Sequence, residues 1–231
     1  MNPTRVVRHA GMELRMLLRN GEQLLLAFAI PLGLVIGGLL WGRQFGLDGN
    51  TFPASVIAVA VWSTAFTSLG VATGFERRYG VLERLVATPL TRADLIAGKA
   101  LAACALVAIQ AVLLLAVALG LGWRPDLSPV AALSATTATL LGIVAFAGLG
   151  LLLAGTLKAE VTLGLANLIY LAGLALGGLI VDQPPWLPTA ALGSALRAAA
   201  LGAAAPLPLV VLAAWAAVLT LTARRFFRWT S

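Results

Sequence analysis

Apolar residues in this chain neither alternate nor form narrow stripes; they run on. Long apolar stretches near residues 24–41, 54–74, 95–121, 130–156, 161–181 and 207–223 fill most of its 231 positions. A helix needs about 20 such residues, at 1.5 Å rise each, to cross the hydrocarbon core of a bilayer. The pattern predicts an all-α membrane protein: one domain, 1–231, with six transmembrane helices. Three segments between or before them are patterned differently. Residues 1–23 place Arg5, Arg8, Arg15 and Arg19 on one helical arc, with Val7, Leu14 and Leu18 opposite, which predicts an N-terminal interfacial amphipathic helix. Residues 75–90 predict a short surface helix between the second and third spans. Residues 184–205, PPWLPTAALGSALRAAALGAAA, are apolar but interrupted by proline and carry Arg197, so a re-entrant element before the sixth span is expected.

Composition agrees with lipid as the solvent. The chain is 60% hydrophobic and 11% charged, where a soluble domain needs about 25% charged residues to cover itself. The net charge of +7 is distributed as membrane topology requires and not as a nucleic-acid patch. Arg5, Arg8, Arg15, Arg19, Arg77, Arg78, Arg84, Arg92, Lys99, Lys158, Arg224, Arg225 and Arg228 fall on one side of a six-span arrangement; only Arg43, Arg124 and Arg197 fall on the other. The positive-inside rule then puts both termini in the cytoplasm of a cell-membrane protein. The first apolar run follows a basic stretch and lacks an A-x-A exit, so it reads as a retained span.

Chemistry-bearing residues are sparse. The single cysteine, Cys104, lies in a span, and the single histidine, His9, lies before the first. No disulfide, zinc, haem or iron–sulfur site can be assembled from them. No facing acid pair or histidine is available within the spans for an intramembrane enzyme. Trp41, Trp123 and Trp186 mark the outer interface and Trp229 the inner one. Trp62 and Trp215 lie within spans, where they pack or line a path; Trp62 and Asn167 are the candidate pathway residues. Gln110 and Thr162 are read chiefly as interhelical hydrogen-bonders, and Glu160 is expected to pair with Lys158. Gly33/Gly37, Gly70/Gly74 and Gly173/Gly177 have the spacing of close helix approaches.

The segment between the second and third spans carries the most information. If residues 75–86 form one helix, Phe75, Tyr79, Leu82 and Val86 share a face, Glu76 and Glu83 a second, and Arg77 and Arg84 a third. Pro89 ends it, and Thr91 with Asp94 can form a capping box that starts the next helix. A rigid, striped helix at that place is expected if something grips it.

The pattern E-R-x-x-G-x-L-E-R-L-x-x-T-P-L-x-x-x-x-x-x-x-G-K, set here by Glu76, Arg77, Gly80, Leu82, Glu83, Leu85, Thr88, Pro89, Leu90, Gly98 and Lys99, resembles the corresponding loop of ABC transporter type-2 permeases. Residues 177–197 also resemble that family's outer segment before the last span. The resemblance implies a coupling helix at 75–90, seated in a partner ATPase through Glu76, Arg77, Tyr79, Gly80, Leu82, Glu83, Arg84, Leu85, Thr88 and Pro89. It implies a pair of ABC ATPase subunits, a second permease copy, identical or related, and a pathway lined by the first, second and fifth spans. With only about a dozen residues between the first two spans, the chain is similar to the compact drug- or antibiotic-export and polysaccharide-export branches, which implies a lipophilic or amphiphilic cargo such as a drug, an antibiotic, a lipid or a lipid-linked glycan. The chain lacks a phosphate-cradling G-x-x-x-x-G-K-[ST] loop, because Ala93 and Ala100 stand where glycine and a hydroxyl are needed. ATP and magnesium are therefore expected on the partner, with no cofactor bound directly. The competing readings are an ion-coupled secondary transporter and a non-transporting scaffold; no carboxylate at a span centre favours the former.

Overall fold

A computed structural model of the chain describes residues 2–19, 21–86 and 88–228; Trp229 and the side chains of residues 22–26, Val86 and Arg92 lie outside that description. Its elements are α1 (Pro3–Arg19), α2 (Gly21–Trp41), α3 (Phe52–Trp62), α4 (Leu69–Arg78), α5 (Val81–Val86), α6 (Arg92–Gly120), α7 (Pro129–Thr156), α8 (Ala159–Leu176), α9 (Pro188–Ala200) and α10 (Pro206–Phe226). A π-helical turn, Ser63–Ser68, joins α3 to α4 without interrupting the span. Among the described residues, six stretches are long and apolar enough to cross a membrane: Ala27–Phe45, Phe52–Arg78, Ala93–Gly120, Pro129–Thr156, Ala159–Leu176 and Pro206–Phe226. The protein is thus a multi-pass helical membrane protein.

The two ends of the bundle differ. At one, the α2–α3, α6–α7 and α9–α10 connections meet: Trp123 Nε1 donates to Asn50 O at 2.8 Å, and Asp126 N to Ala200 O at 2.9 Å. At the other lie α5, the α7–α8 turn and both described termini; Asn2 N bonds Asp94 Oδ1 at 3.0 Å and Arg228 N bonds Gly155 O at 3.1 Å. These are called the hairpin end and the α5 end below. The most enclosed spans are Phe52–Arg78 and Pro129–Thr156, and the least enclosed are those of α2 and α8. Spans two and four cross closely where Gly70 meets Gly150; a Cβ on Gly150 would lie 2.7 Å from Phe66 O. Gly74 lies against Thr162, Gly173 against the Trp62 ring and Gly177 against Thr189 Oγ1, whereas Gly33 and Gly37 face open space.

Polar residues inside the bundle satisfy backbone that helix geometry leaves unpaired. Pro31 lies inside α2 and has no N–H for the carbonyl of Ala27. Gln110 Nε2 of α6 donates to that carbonyl at 2.9 Å, and Gln110 Oε1 accepts from Thr64 Oγ1 of the π-helical turn at 2.9 Å. One amide therefore joins three spans, and its hydrogen-bonding role is as expected. Thr162, also buried, plays a different part: it donates at 3.4 Å to Leu153 O, which already accepts from Leu157 N, and so ties the α7–α8 turn.

Four expectations need correction. The fifth span ends at Leu176 and not near 181, because Gly178 takes φ 73° and turns the chain into an irregular segment. Trp123 lies at the hairpin end but points inward, its ring buried to reach Asn50. Glu160 pairs with Arg78 across the α4–α8 junction, and Lys158 serves as the backbone N-cap of α8. Helix α1 packs through Val6, His9, Ala10 and Glu13, a third face that the charge pattern did not mark, while Val7 and Leu18 stay exposed.

The segment 177–205 folds around Arg197. Its guanidinium has five N–H donors and uses them all: Nε and Nη2 to Asp182 Oδ1 (3.0 and 2.7 Å), Nη2 to Gly178 O (3.2 Å), and Nη1 to Leu179 O (2.7 Å) and Ser55 Oγ (3.2 Å). Trp215 Nε1 donates to Trp186 O at 2.9 Å. Trp215 stands nine residues into α10, about 14 Å along its axis, so the chain before α9 dips well into the bundle. From there α9 returns to the hairpin end, almost wholly buried.

Replacing Gln110 with Leu should lower stability in detergent by about 1–3 kcal/mol, the sum of two interhelical hydrogen bonds in a membrane protein. Pro31→Ala restores the missing N–H and should recover part of that loss in the double variant. Thermal melting of the single and double variants checks both statements.

Candidate functional site

The loop between the second and third spans is built from two short helices, not one. Span two stops when Gly80 adopts φ 70°, with Tyr79 N bonded to Phe75 O and Gly80 N to Arg77 O. A left-handed residue after a helix is glycine's usual place, since it has no Cβ to clash. Helix α5 then starts at Val81 in a new direction. The expected single face of Phe75, Tyr79, Leu82 and Val86 is therefore broken: Tyr79 is exposed, stacked on Phe75, and Leu82 is fully buried. At its far end Thr88 Oγ1 donates to Leu85 O at 2.6 Å. The Thr91–Asp94 capping box then opens α6, as the sequence predicts: Asp94 N donates to Thr91 Oγ1 and Thr91 N to Asp94 Oδ2, both at 3.2 Å.

The ten positions singled out in this loop separate into two groups. Glu76, Arg77 and Leu82 face the protein. Gly80 makes the turn and Leu85 is half-buried. Tyr79, Glu83, Arg84, Thr88 and Pro89 are exposed. The inward group holds the loop in place. Arg77 Nη2 donates at 2.7 Å to Leu157 O, at the end of α7, where helix carbonyls lack intrahelical partners. Leu82 inserts into the main apolar core.

Glu76 belongs to a buried ionic cluster. Lys99 Nζ lies 2.7 Å from Glu76 Oε2 and 2.8 Å from Glu13 Oε1, and the lysine side chain is 2% exposed. His9 Nε2 sits 3.4 Å from the same Glu13 oxygen. The preceding residue makes the arrangement possible: a Cβ on Gly98 would lie 2.5 Å from His9 Cδ2. The Gly-Lys pair that closes the sequence motif thus admits the His9 ring and supplies the cation between two carboxylates. Glu76 is on span two, Lys99 on span three and Glu13 on α1, so three elements meet at one ammonium. A second tie is Arg5 Nη1, which donates to Pro89 O at 2.6 Å and joins α1 to the end of the loop. Sequence reasoning missed Glu13 and His9. The available signal was a glutamate, Glu13, interrupting the basic helix.

The two candidate pathway residues are placed differently. Trp62 is enclosed, stacked on Phe66 at 4.3 Å and edge-on to Phe146 at 4.7 Å, with Nε1 3.4 Å from Tyr170 O. Within this subunit it is a packing residue. Asn167 is exposed on α8. Among the described residues no group of three or more potential metal ligands is clustered.

Six helices long and apolar enough to cross a membrane, with a loop locked to them by buried charge, define a multi-pass membrane protein. A family model for the ABC-2 type transporter matches residues 12–200. The chain belongs to that family: it is an ABC-2 type membrane permease, a kind of subunit that is generally non-catalytic and associates with an ABC ATPase. No curated protein sequence matches it.

Two outcomes test the cluster. Lys99→Met leaves two carboxylates facing each other in a buried site and should cost about 3–5 kcal/mol; adding Glu13→Gln and Glu76→Gln should recover most of it, read by thermal unfolding. The second concerns pH. Burial holds the His9 imidazole below its ordinary value, with Glu13 pulling upward and Lys99 downward. A lowered folded-state value means that the undocked helix binds the proton more readily, so the contribution of neutral His9 to the docking of α1 is fully present above about pH 6.5 and declines as pH falls below it. Wild type should therefore lose more stability than His9→Gln between about pH 7.5 and about pH 5.5. Glu13, Glu76 and Lys99, which face His9, are unchanged in both.

Proposed function

We propose that the protein is the membrane subunit of an ATP-driven exporter in the cell membrane, working with two ABC ATPase subunits and a second permease copy. Helix α5 is the coupling helix, and its docking face is the exposed group Tyr79, Glu83, Arg84, Thr88 and Pro89. The single observation that carries this reading is the contrast within the loop. Leu82 and Arg77 are buried and Glu76 is mostly buried, yet the charged neighbours Glu83 and Arg84 are exposed. A helix anchored so firmly on one side, and left bare on the other, suits a partner that pushes on it. ATP and magnesium belong on that partner.

In this reading movement of α5 passes into span two through Gly80, into span three through Pro89 and the capped turn, and into α1 through Arg5. Helix α1 lies in the inner headgroup layer, with Val7 and Leu18 toward lipid and the arginines toward phosphates. Helix α9 is a re-entrant element at the outer face. The α5 end is cytoplasmic, as the positive-inside rule favours. Spans α2 and α8, the least enclosed in the single subunit, meet the second copy, and the pathway runs between them with Asn167 on its wall. A lining of Ala, Leu, Gly and Val suits a lipophilic or amphiphilic cargo such as a drug, an antibiotic, a lipid or a lipid-linked glycan, because charge would be costly to desolvate there.

Reversal of Glu83 to Lys should reduce co-purification with the ATPase by about tenfold or more, as for a mispaired interface charge, and abolish ATP-dependent export, while insertion and thermal stability stay as in wild type. Wild-type export by this variant would refute the docking face. A reporter fused after Ser231 should read cytoplasmic; an external signal would reverse the orientation.

A further inference from the structure

Helices α6 and α7, joined by a short connection, pack on each other much less than α6 does on α1 or α7 on α4, α9 and α10. α6 packs on α1, α2 and α3, and α7 on α4, α9 and α10. Between them lies a groove of about 420 Å³ whose floor is Ala54 and Ile57 of α3 with Leu196 and Ala199 of α9. Its walls are almost entirely apolar and rich in alanine. It runs from Cys104 to Leu115 on α6 and from Ala131 to Ile143 on α7. Those stretches measure about 17 and 18 Å at the helical rise, close to the half-thickness, about 15 Å, of a bilayer's hydrocarbon core. The groove therefore has the length of one leaflet, and it reaches the hairpin end at Trp123–Leu127.

Two opposite charges lie on the connection at the groove's mouth: Asp126 among the lining residues, and Arg124 between the lining residues Trp123 and Pro125. Arg124 folds its guanidinium over the end of α6, donating to Leu119 O at 3.2 Å and Trp123 O at 3.1 Å. Asp126 lines the groove, and its Oδ1 accepts from Ser128 N at 2.7 Å. Both are exposed, and among the described residues neither forms a salt bridge. We propose that this groove is a phospholipid site, with one acyl chain lying between α6 and α7 and a phosphoethanolamine headgroup set across Arg124 and Asp126. Length and apolar walls match the chain, the guanidinium matches the phosphate, and the carboxylate matches a primary ammonium that can donate hydrogen bonds. The alanines leave the width that a larger side chain would fill. The site lies in the leaflet at the hairpin end, away from the α5 loop, and does not rest on the ATP-driven reading.

The test uses the full chain in detergent, stripped of lipid and then supplied with dioleoyl phosphatidylethanolamine or dioleoyl phosphatidylglycerol, with retained lipid counted by native mass spectrometry. Wild type should hold phosphatidylethanolamine in preference to phosphatidylglycerol. Ala108→Phe and Ala132→Phe, at exposed positions of the walls, should each lower retention about tenfold, equivalent to about 1.4 kcal/mol. Asp126→Asn should abolish the headgroup preference while the acyl chain still binds. A second measurement needs no variant: Cys104, the chain's single cysteine, lines the groove, so phosphatidylethanolamine should slow its reaction with N-ethylmaleimide. Equal retention by wild type and both phenylalanine variants, no lipid retained by wild type, or an unchanged Cys104 rate would each overturn the site. Equal retention of the two lipids by wild type would overturn the headgroup assignment.

Discussion

One ammonium group organises the loop end of this permease. Lys99 enters span three almost at once and is taken out of water between Glu13 and Glu76. Charges so buried are tolerated only when paired at close range. Breaking the pair by removing one partner is far costlier than never having had it. The consequence is mechanical. The end of span two, the start of span three and α1 cannot separate by much without exposing an unpaired charge to a poor solvent. Arg5, which reaches Pro89 O, closes the same triangle from outside.

That lock gives meaning to the division of the loop into inward and outward residues. Glu76, Arg77 and Leu82 are spent on contacts with Lys99, the end of α7 and the apolar core. The break at Gly80 then rotates α5 away from the axis of span two, so that Glu83 and Arg84 project freely. A continuous helix would have carried Leu82 outward with Tyr79 and left the core without it. The short length of α5 is therefore a requirement of having both an anchor and a free face within six residues.

Much of this was legible beforehand, for definite reasons. Six spans follow from apolar runs of bilayer length, and the Thr91–Asp94 cap from a local rule that needs no tertiary information. The pairing of Gln110 with the carbonyl freed by Pro31 was half legible: the proline announces a missing donor, but only the packed bundle says which amide supplies it. What could not be read were contacts between residues far apart in sequence. Glu13 with Lys99 is such a case, as is the switch of Glu160 from its neighbour Lys158 to Arg78. The helix through residues 75–86 failed because one glycine in a left-handed conformation outweighs a consistent periodicity. Trp123 does lie at a span end, but with its ring turned inward, since a tryptophan at an interface and one pinning two loops look alike in sequence.

The five-donor arrangement around Arg197 also sets an order of events during synthesis. Ser55 is made 142 residues before the arginine that binds it, and the carbonyls of Gly178 and Leu179 precede it by less than twenty. Until α9 emerges and brings Arg197 back to Gly178 and Leu179, the stretch after α8 has backbone carbonyls that lipid cannot satisfy. The fifth helix and its irregular sequel must therefore wait in a watery or protein-lined setting, such as the insertion machinery, and settle together with the last two helices as one late step.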